Sequence, residues 1–115
     1  MVINKGDILL VQFPYTDLSQ AKLRPAIVLQ SSTTRDETTL CFISSQQVNQ
    51  LTDDEFALLD SDPEFSNTGL RTSSKVRVSR IVTLSHQLTS RRLGCLSTEQ
   101  LKILDEKLKQ VFQLA

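Results

Sequence analysis

Lys5-Gly-Asp-Ile-Leu-Leu-Val-Gln-Phe-Pro-Tyr-Thr-Asp-Leu-Ser-Gln-Ala-Lys-Leu-Arg-Pro-Ala-Ile-Val-Leu-Gln30 holds two short apolar runs with a polar one between them. Ile8-Leu-Leu-Val-Gln-Phe13 is bounded by Gly6-Asp7 and by Pro14, the length and punctuation of a strand. Pro25-Ala-Ile-Val-Leu29 reads as a second strand. Proline has no N–H to give to a ladder, so Pro25 is expected at the start of that strand. The polar stretch of residues 14–22 reads as the loop joining the two.

Outward from this pair the strand pattern continues. Thr38-Thr-Leu-Cys-Phe-Ile-Ser44 is rich in β-branched and aromatic residues and predicts a third strand. Phe56-Ala-Leu-Leu59 predicts a fourth. Lys75-Val-Arg-Val-Ser79 alternates with period two, with Val76 and Val78 on one face and Lys75, Arg77 and Ser79 on the other. Residues 91–96 read as a further short strand. Then the period changes. Leu101, Leu104, Leu108, Val111 and Ala115 follow helical spacing, and Ser97-Thr-Glu-Gln100 supplies a capping box at its start. Short strands followed by one helix predict a mainly β fold with α: a small antiparallel barrel closed or plugged by a C-terminal helix. At 115 residues the chain has room for one core, so a single domain over residues 1–115 is expected.

Composition excludes several classes. Lys+Arg and Asp+Glu both number 13, so no global charge selects nucleic acid as a partner. The charges are segregated, however. Residues 53–64 carry only acids, and residues 65–98 only bases: Arg71, Lys75, Arg77, Arg80, Arg91 and Arg92. Such a block creates a local positive surface, or it forms solvated strand faces. No apolar run approaches the roughly 20 residues of a membrane helix, and the N-terminus has no signal-like apolar region, so a cytoplasmic location is expected. Cys41 and Cys95 both sit among apolar residues and read as small buried hydrophobes. A lone His86, and no paired Cys or His spacing, predict no metal site and no cofactor.

Motifs for phosphate-binding loops, dinucleotide binding, zinc hydrolysis and serine hydrolysis are absent. With one histidine, a two-histidine ribonuclease mechanism is excluded. Phosphodiester chemistry would have to use arginine, hydroxyl or carboxylate groups. Arg24 stands where the polar loop meets the second strand, and Pro25 biases it toward an extended backbone. There its guanidinium can grip a phosphate at the sheet rim. On spacing alone, a surface arginine paired with Asp17 is the plainer reading. Ser44 and Ser45 end the third strand, where hydroxyls donate to phosphate or, more commonly, bond to the local backbone in a turn. His86 reads as an exposed loop residue.

The segment Gly6-Asp7 through Phe-Pro-Tyr-Thr-Asp17, followed by Lys22-Leu-Arg-Pro-Ala-Ile-Val-Leu29, resembles the opening of PemK/MazF toxins. Leu40-Cys-Phe-Ile-Ser44, Gly69-Leu-Arg-Thr-Ser-Ser-Lys-Val-Arg-Val-Ser79, Ile81-Val-Thr-Leu84, Arg92-Leu-Gly94 and Leu96-Ser-Thr-Glu-Gln100 match later family blocks in order. The resemblance implies an SH3-like barrel with a C-terminal helix. It also implies a homodimer, a cognate antitoxin as partner, and operator DNA bound together with that antitoxin. The activity implied is that of a type II toxin that cuts single-stranded RNA without a metal, the 2′-hydroxyl attacking the adjacent phosphate. By position, Arg24 takes the role of the family's arginine before proline, which stabilises the pentavalent phosphorane or donates a proton, and Ser44 that of its catalytic threonine. Arg77 matches the arginine of an Arg-x-Asp pattern whose aspartate is here Ser79. The loop histidine of that branch is also missing, and Asp17 is the carboxylate proposed as substitute base. Tyr15, Thr16, Asp17, Lys22, Ser45, Arg71, Lys75 and Ser79 are the expected RNA contacts, with Tyr15 placed to stack on a base. Two other readings stay open: a gyrase-binding toxin of the CcdB type, and an RNA-binding SH3-like module without catalysis.

Overall fold

A computed structural model of the chain describes residues 2–12 and 22–115. Phe13 and residues 14–21, including Tyr15, Thr16 and Asp17, lie outside the described residues. Six strands precede one helix: β1 (Asp7–Gln12), β2 (Leu23–Ser32), β3 (Glu37–Ser44), β4 (Glu55–Leu58), β5 (Ser74–Ser85), β6 (Thr89–Cys95) and α1 (Thr98–Phe112). All ladders are antiparallel, in the order β4-β5-β3-β2-β1-β6. The expected mainly β architecture with a C-terminal helix is present, as an open sheet rather than a closed ladder.

The continuous apolar runs of β1 and β2 follow from burial on both faces. Ile8, Ile27 and Cys41 face one another in register and pack with Val76, Val78 and Leu104 of α1. The intervening row (Leu9, Val11, Ala26, Val28, Leu40) fills a second cluster with Leu84 on the opposite face. Each such aliphatic side chain, fully buried, contributes about 1.5–3 kcal/mol.

β2 is longer than expected, and Pro25 is its third residue, opposite Leu10 of β1. The ladder to β3 starts only at Ala26–Phe42, so Pro25 deprives β3 of no bond. β5 is longer too. It fuses the expected strand at residues 75–79 with the 81–84 run. Its register to β3 jumps between Cys41–Ile81 and Phe42–Arg77, leaving Val78, Ser79 and Arg80 unmatched by β3. There the Val78 N–H donates instead to the Asp54 carbonyl at 3.0 Å.

At the start of α1 both halves of the capping box form. Ser97 Oγ accepts from the Gln100 N–H at 3.1 Å, and Gln100 Oε1 accepts from the Ser97 N–H at 2.8 Å. Leu104 is fully buried, and Leu101 and Leu108 pack beside it. The helix ends at Phe112, short of Ala115, where Gln113 turns left-handed with φ 55°.

Two further expectations are corrected. Cys41 is buried, and burial pushes its thiol up to about 12, but Cys95 is exposed at the end of edge strand β6. Thiol titration should therefore find one reactive cysteine in the native protein and two in denaturant; two rapid native thiols would contradict this packing. His86 is not a free loop residue. It lies half-buried in a 3₁₀ turn, with Nδ1 2.8 Å from Asp36 Oδ1 and Nε2 3.2 Å from Ser31 Oγ, and so ties the β2–β3 hairpin to the end of β5.

The connection from β4 to β5 reaches the far edge of the sheet at β6. The 3₁₀ turn at Ser66–Thr68, between β4 and β5, lies against β6, and Asn67 Nδ2 donates to the Cys95 carbonyl at 2.8 Å. The backbones touch through two glycines. A Cβ on Gly69, whose φ is 72°, would sit 2.1 Å from the Leu93 carbonyl oxygen. One on Gly94 would sit 2.2 Å from that of Asn67. Gly94→Ala should lower the unfolding free energy by about 1–3 kcal/mol through forced backbone movement. An unchanged urea midpoint would show that this crossing is not required.

Candidate functional site

β2 and β3 run on past the last residues they pair with each other, to Leu23 at the start of β2 and to Ser44 at the end of β3. Where they part, beside Pro25, a groove of about 370 Å³ opens, within the size range of ligand sites. Leu10, Ile43, Leu70 and Leu93 give it an apolar lining. Its polar residues come from separate elements: Arg24 from β2, Ser44 from the end of β3 with Ser45 after it, Arg71 from the β4–β5 connection, and Arg91 from β6. Among the described residues that line it there is no carboxylate, imidazole or thiol. Arg24, Arg71 and Arg91 make no ion pair among the described residues. A groove that among the described residues gathers three guanidiniums with no ion pair and no acid is suited to an anion.

Ser44 is placed for donation. Its Oγ accepts from the Gln46 N–H at 3.1 Å, closing a local turn. That bond uses a lone pair and leaves the hydroxyl proton available to a ligand oxygen. The turn-forming and ligand-donating readings of this serine are therefore compatible.

The remaining sequence candidates are divided. Lys22 is exposed one residue before β2 and is not among the lining residues of the groove. Lys75 is buried: its Nζ lies 3.2 Å from Glu55 Oε1 and donates to the Gln50 carbonyl at 3.1 Å. Arg77 Nε lies 3.2 Å from Glu55 Oε2. Arg77 and Ser79 line a second depression of about 370 Å³, together with Thr52, Asp54, Glu55 and Arg80. In that depression the hydroxyls of Ser79 and Thr52 donate to Asp54 and hold its carboxyl below its ordinary value. Burial acts to raise the Glu55 carboxyl. The Thr52 N–H at 3.0 Å and the Lys75 ammonium outweigh burial and hold it low. Arg24, Ser44, Ser45 and Arg71 are thus brought together, while Lys75, Arg77 and Ser79 are not brought to them.

Three residues escaped the sequence reading. Asp54 and Glu55 belong to the acidic run of residues 53–64, which alternation alone could not pair with β5. Arg91 was legible only through the alternation of β6, which separates it from Arg92. Arg92 Nη1 lies 3.2 Å from the buried Asp7 carboxylate, whereas Arg91 lines the groove.

Residues 4–112 match the model of a family described as the PemK-like, MazF-like toxin of type II toxin–antitoxin systems. Solved structures share the fold. The Mycobacterium tuberculosis toxin MazF-mt6 superposes with a TM-score of 0.72 at 21% identity, covering 95% of this chain and 98% of that one. MazF from Deinococcus radiodurans gives 0.71 at 18% identity, covering 98% of each chain. An endoribonuclease in complex with its cognate antitoxin, from mycobacterial species, gives 0.72 at 14% identity over 99% and 98% of the two chains. No curated protein is significantly similar to the chain.

Proposed function

The chain belongs to the PemK-like, MazF-like toxins of type II toxin–antitoxin systems, and from that membership we propose that it is an endoribonuclease that cuts single-stranded RNA at the Arg24–Ser44 groove. The observation that carries the proposal is the gathering of Arg24, Arg71 and Arg91, with no ion pair among the described residues, around a serine whose hydroxyl proton is available to a ligand. The family resemblance in the strand bearing Arg24 and Pro25 supports it.

In this reading the 2′-hydroxyl attacks the adjacent phosphorus and the 5′-oxygen of the next nucleotide leaves. The products are a 2′,3′-cyclic phosphate and a 5′-hydroxyl end. Negative charge builds on the non-bridging oxygens in the transition state. Arg24 neutralises that charge in a groove with an apolar lining, where a guanidinium acts more strongly than in water. Ser44 adds a neutral donor to the same oxygens. Among the described residues the groove holds no group suited to take the 2′ proton. Asp17, the carboxylate assigned that role from the sequence, lies outside them. The cognate antitoxin is the proposed protein partner, by analogy with the mycobacterial complex.

Among the described residues the lining has none of the carboxylates and imidazoles that hold a catalytic cation, and the family resemblance implies cleavage without a metal. Cleavage of a randomised RNA library should consequently persist in EDTA, with 5′-hydroxyl ends on mapping. Binding of RNA with no turnover would make the chain an RNA-binding module. Inhibition of gyrase supercoiling with no RNA cleavage would make it a gyrase poison.

A further inference from the structure

The fold sorts five of the six bases at residues 71–92 into two kinds, while Arg80 lines the depression beside Asp54. Lys75 and Arg77 are neutralised by Glu55, and Arg92 by Asp7. Arg71 and Arg91 have no carboxylate among the described residues, and both line the groove of Arg24. On β6, register decides which arginine is which. Arg91 stands opposite Leu10, and Leu10 stands opposite Pro25, so the row Arg91–Leu10–Pro25 runs across three strands to the groove. All three residues of that row line it.

Like charges brought together in one groove repel, and a protein gains nothing from them unless an anion is bound. One phosphate engaged by Arg24 and Ser44 would leave two guanidiniums uncompensated. We propose that Arg91, together with Arg71, holds phosphates flanking the one at Arg24 and Ser44, so that the groove takes a single strand with at least three consecutive phosphates. The proposal rests on the ribonuclease reading for the identity of the strand. Arg91 then sets length preference and alignment rather than the chemical step. Its planar fork suits a phosphate better than an ammonium would.

The test measures binding separately from cutting. Fluorescence anisotropy is read on 2′-O-methyl oligonucleotides of randomised sequence, two to six nucleotides long, which have no 2′-hydroxyl to attack. For the six-mer on the wild-type protein, three phosphate contacts predict a slope of log K against log salt of about −2. Arg91→Ala should weaken six-mer binding about tenfold and move the slope toward about −1.4, with little change on the dinucleotide. Arg91→Lys should keep most of the slope while binding more weakly. The inference is overturned if Arg91→Ala binds the six-mer with wild-type affinity and slope, or if it loses dinucleotide binding equally. The same proteins are assayed in parallel for cleavage of unmodified RNA. Wild-type binding without cutting would sink the ribonuclease reading and leave the Arg91 result standing. Binding of neither length by the wild type would sink both.

Discussion

Arg24→Ala is expected to slow RNA cleavage by roughly 10²–10³-fold, the usual effect of removing one donor that stabilises charge in a transition state. The loss should fall on kcat, because Arg24 is assigned to charge that appears as the phosphorane forms. Ground-state affinity should drop far less, since Arg71 and Arg91 remain. Arg24 is exposed and unpaired among the described residues, so the thermal midpoint should be nearly unchanged. Arg24→Lys should recover part of the rate at most, because an ammonium cannot span two phosphate oxygens as a guanidinium does. Ser44→Ala should cost about tenfold, the worth of one neutral hydrogen bond. Full activity in Arg24→Ala would remove this groove as the site of chemistry.

The second large effect concerns stability. Glu55 is buried and is met by Lys75, Arg77 and the Thr52 N–H. Glu55→Ala leaves the Lys75 ammonium buried with only the Gln50 carbonyl, which should cost about 3–5 kcal/mol in denaturant unfolding. Glu55→Ala with Lys75→Met should recover much of that loss, since the stranded charge is gone. If the double variant is no more stable than the single one, the burial of Lys75 is not what makes Glu55 important. The pair also predicts acid lability. The folded carboxyls of Glu55 and Asp54 are held below their ordinary values. Their contribution is therefore full above the unfolded carboxylate range of about 4, and it is lost as pH falls through the lower folded values. Thermal midpoints from pH 7 to about pH 3 should fall steeply only at the acidic end, and less so in the double variant.

How much of this was legible from sequence depends on range. The apolar runs at residues 8–13, 25–29 and 38–44 announced β1 to β3, because burial on both faces leaves an unbroken hydrophobic signature. The capping box at Ser97–Gln100 announced the helix start, because its partners are three residues apart. Arg24 and Ser44 could be nominated singly, but their joining with Arg71 and Arg91 depends on which strand pairs with which. The sequence reading that put Lys75 and Arg77 on one face with Ser79 did not foresee their pairing with Glu55, for a similar reason. Period two tells which side chains share a face, not what covers it, and β4 covers this one with Glu55. The unmatched residues 78–80 of β5 have no local signature either, since they answer to Asp54, 24 residues from Val78 in the chain.

The contact of the Ser66–Thr68 turn with β6 has a consequence for association. A strand at the border of a sheet is a template on which another chain can lengthen the sheet. β6 is seven residues long and would be such a template. The turn stands over it at Leu93 and Gly94, where no side chain keeps the two backbones apart. At the opposite border β4 is only four residues long, too short to nucleate much. A variant that dislodges the turn would therefore uncover a sticky border as well as lose stability. Its first symptom at high concentration would be strand-on-strand aggregation rather than unfolding to a soluble coil.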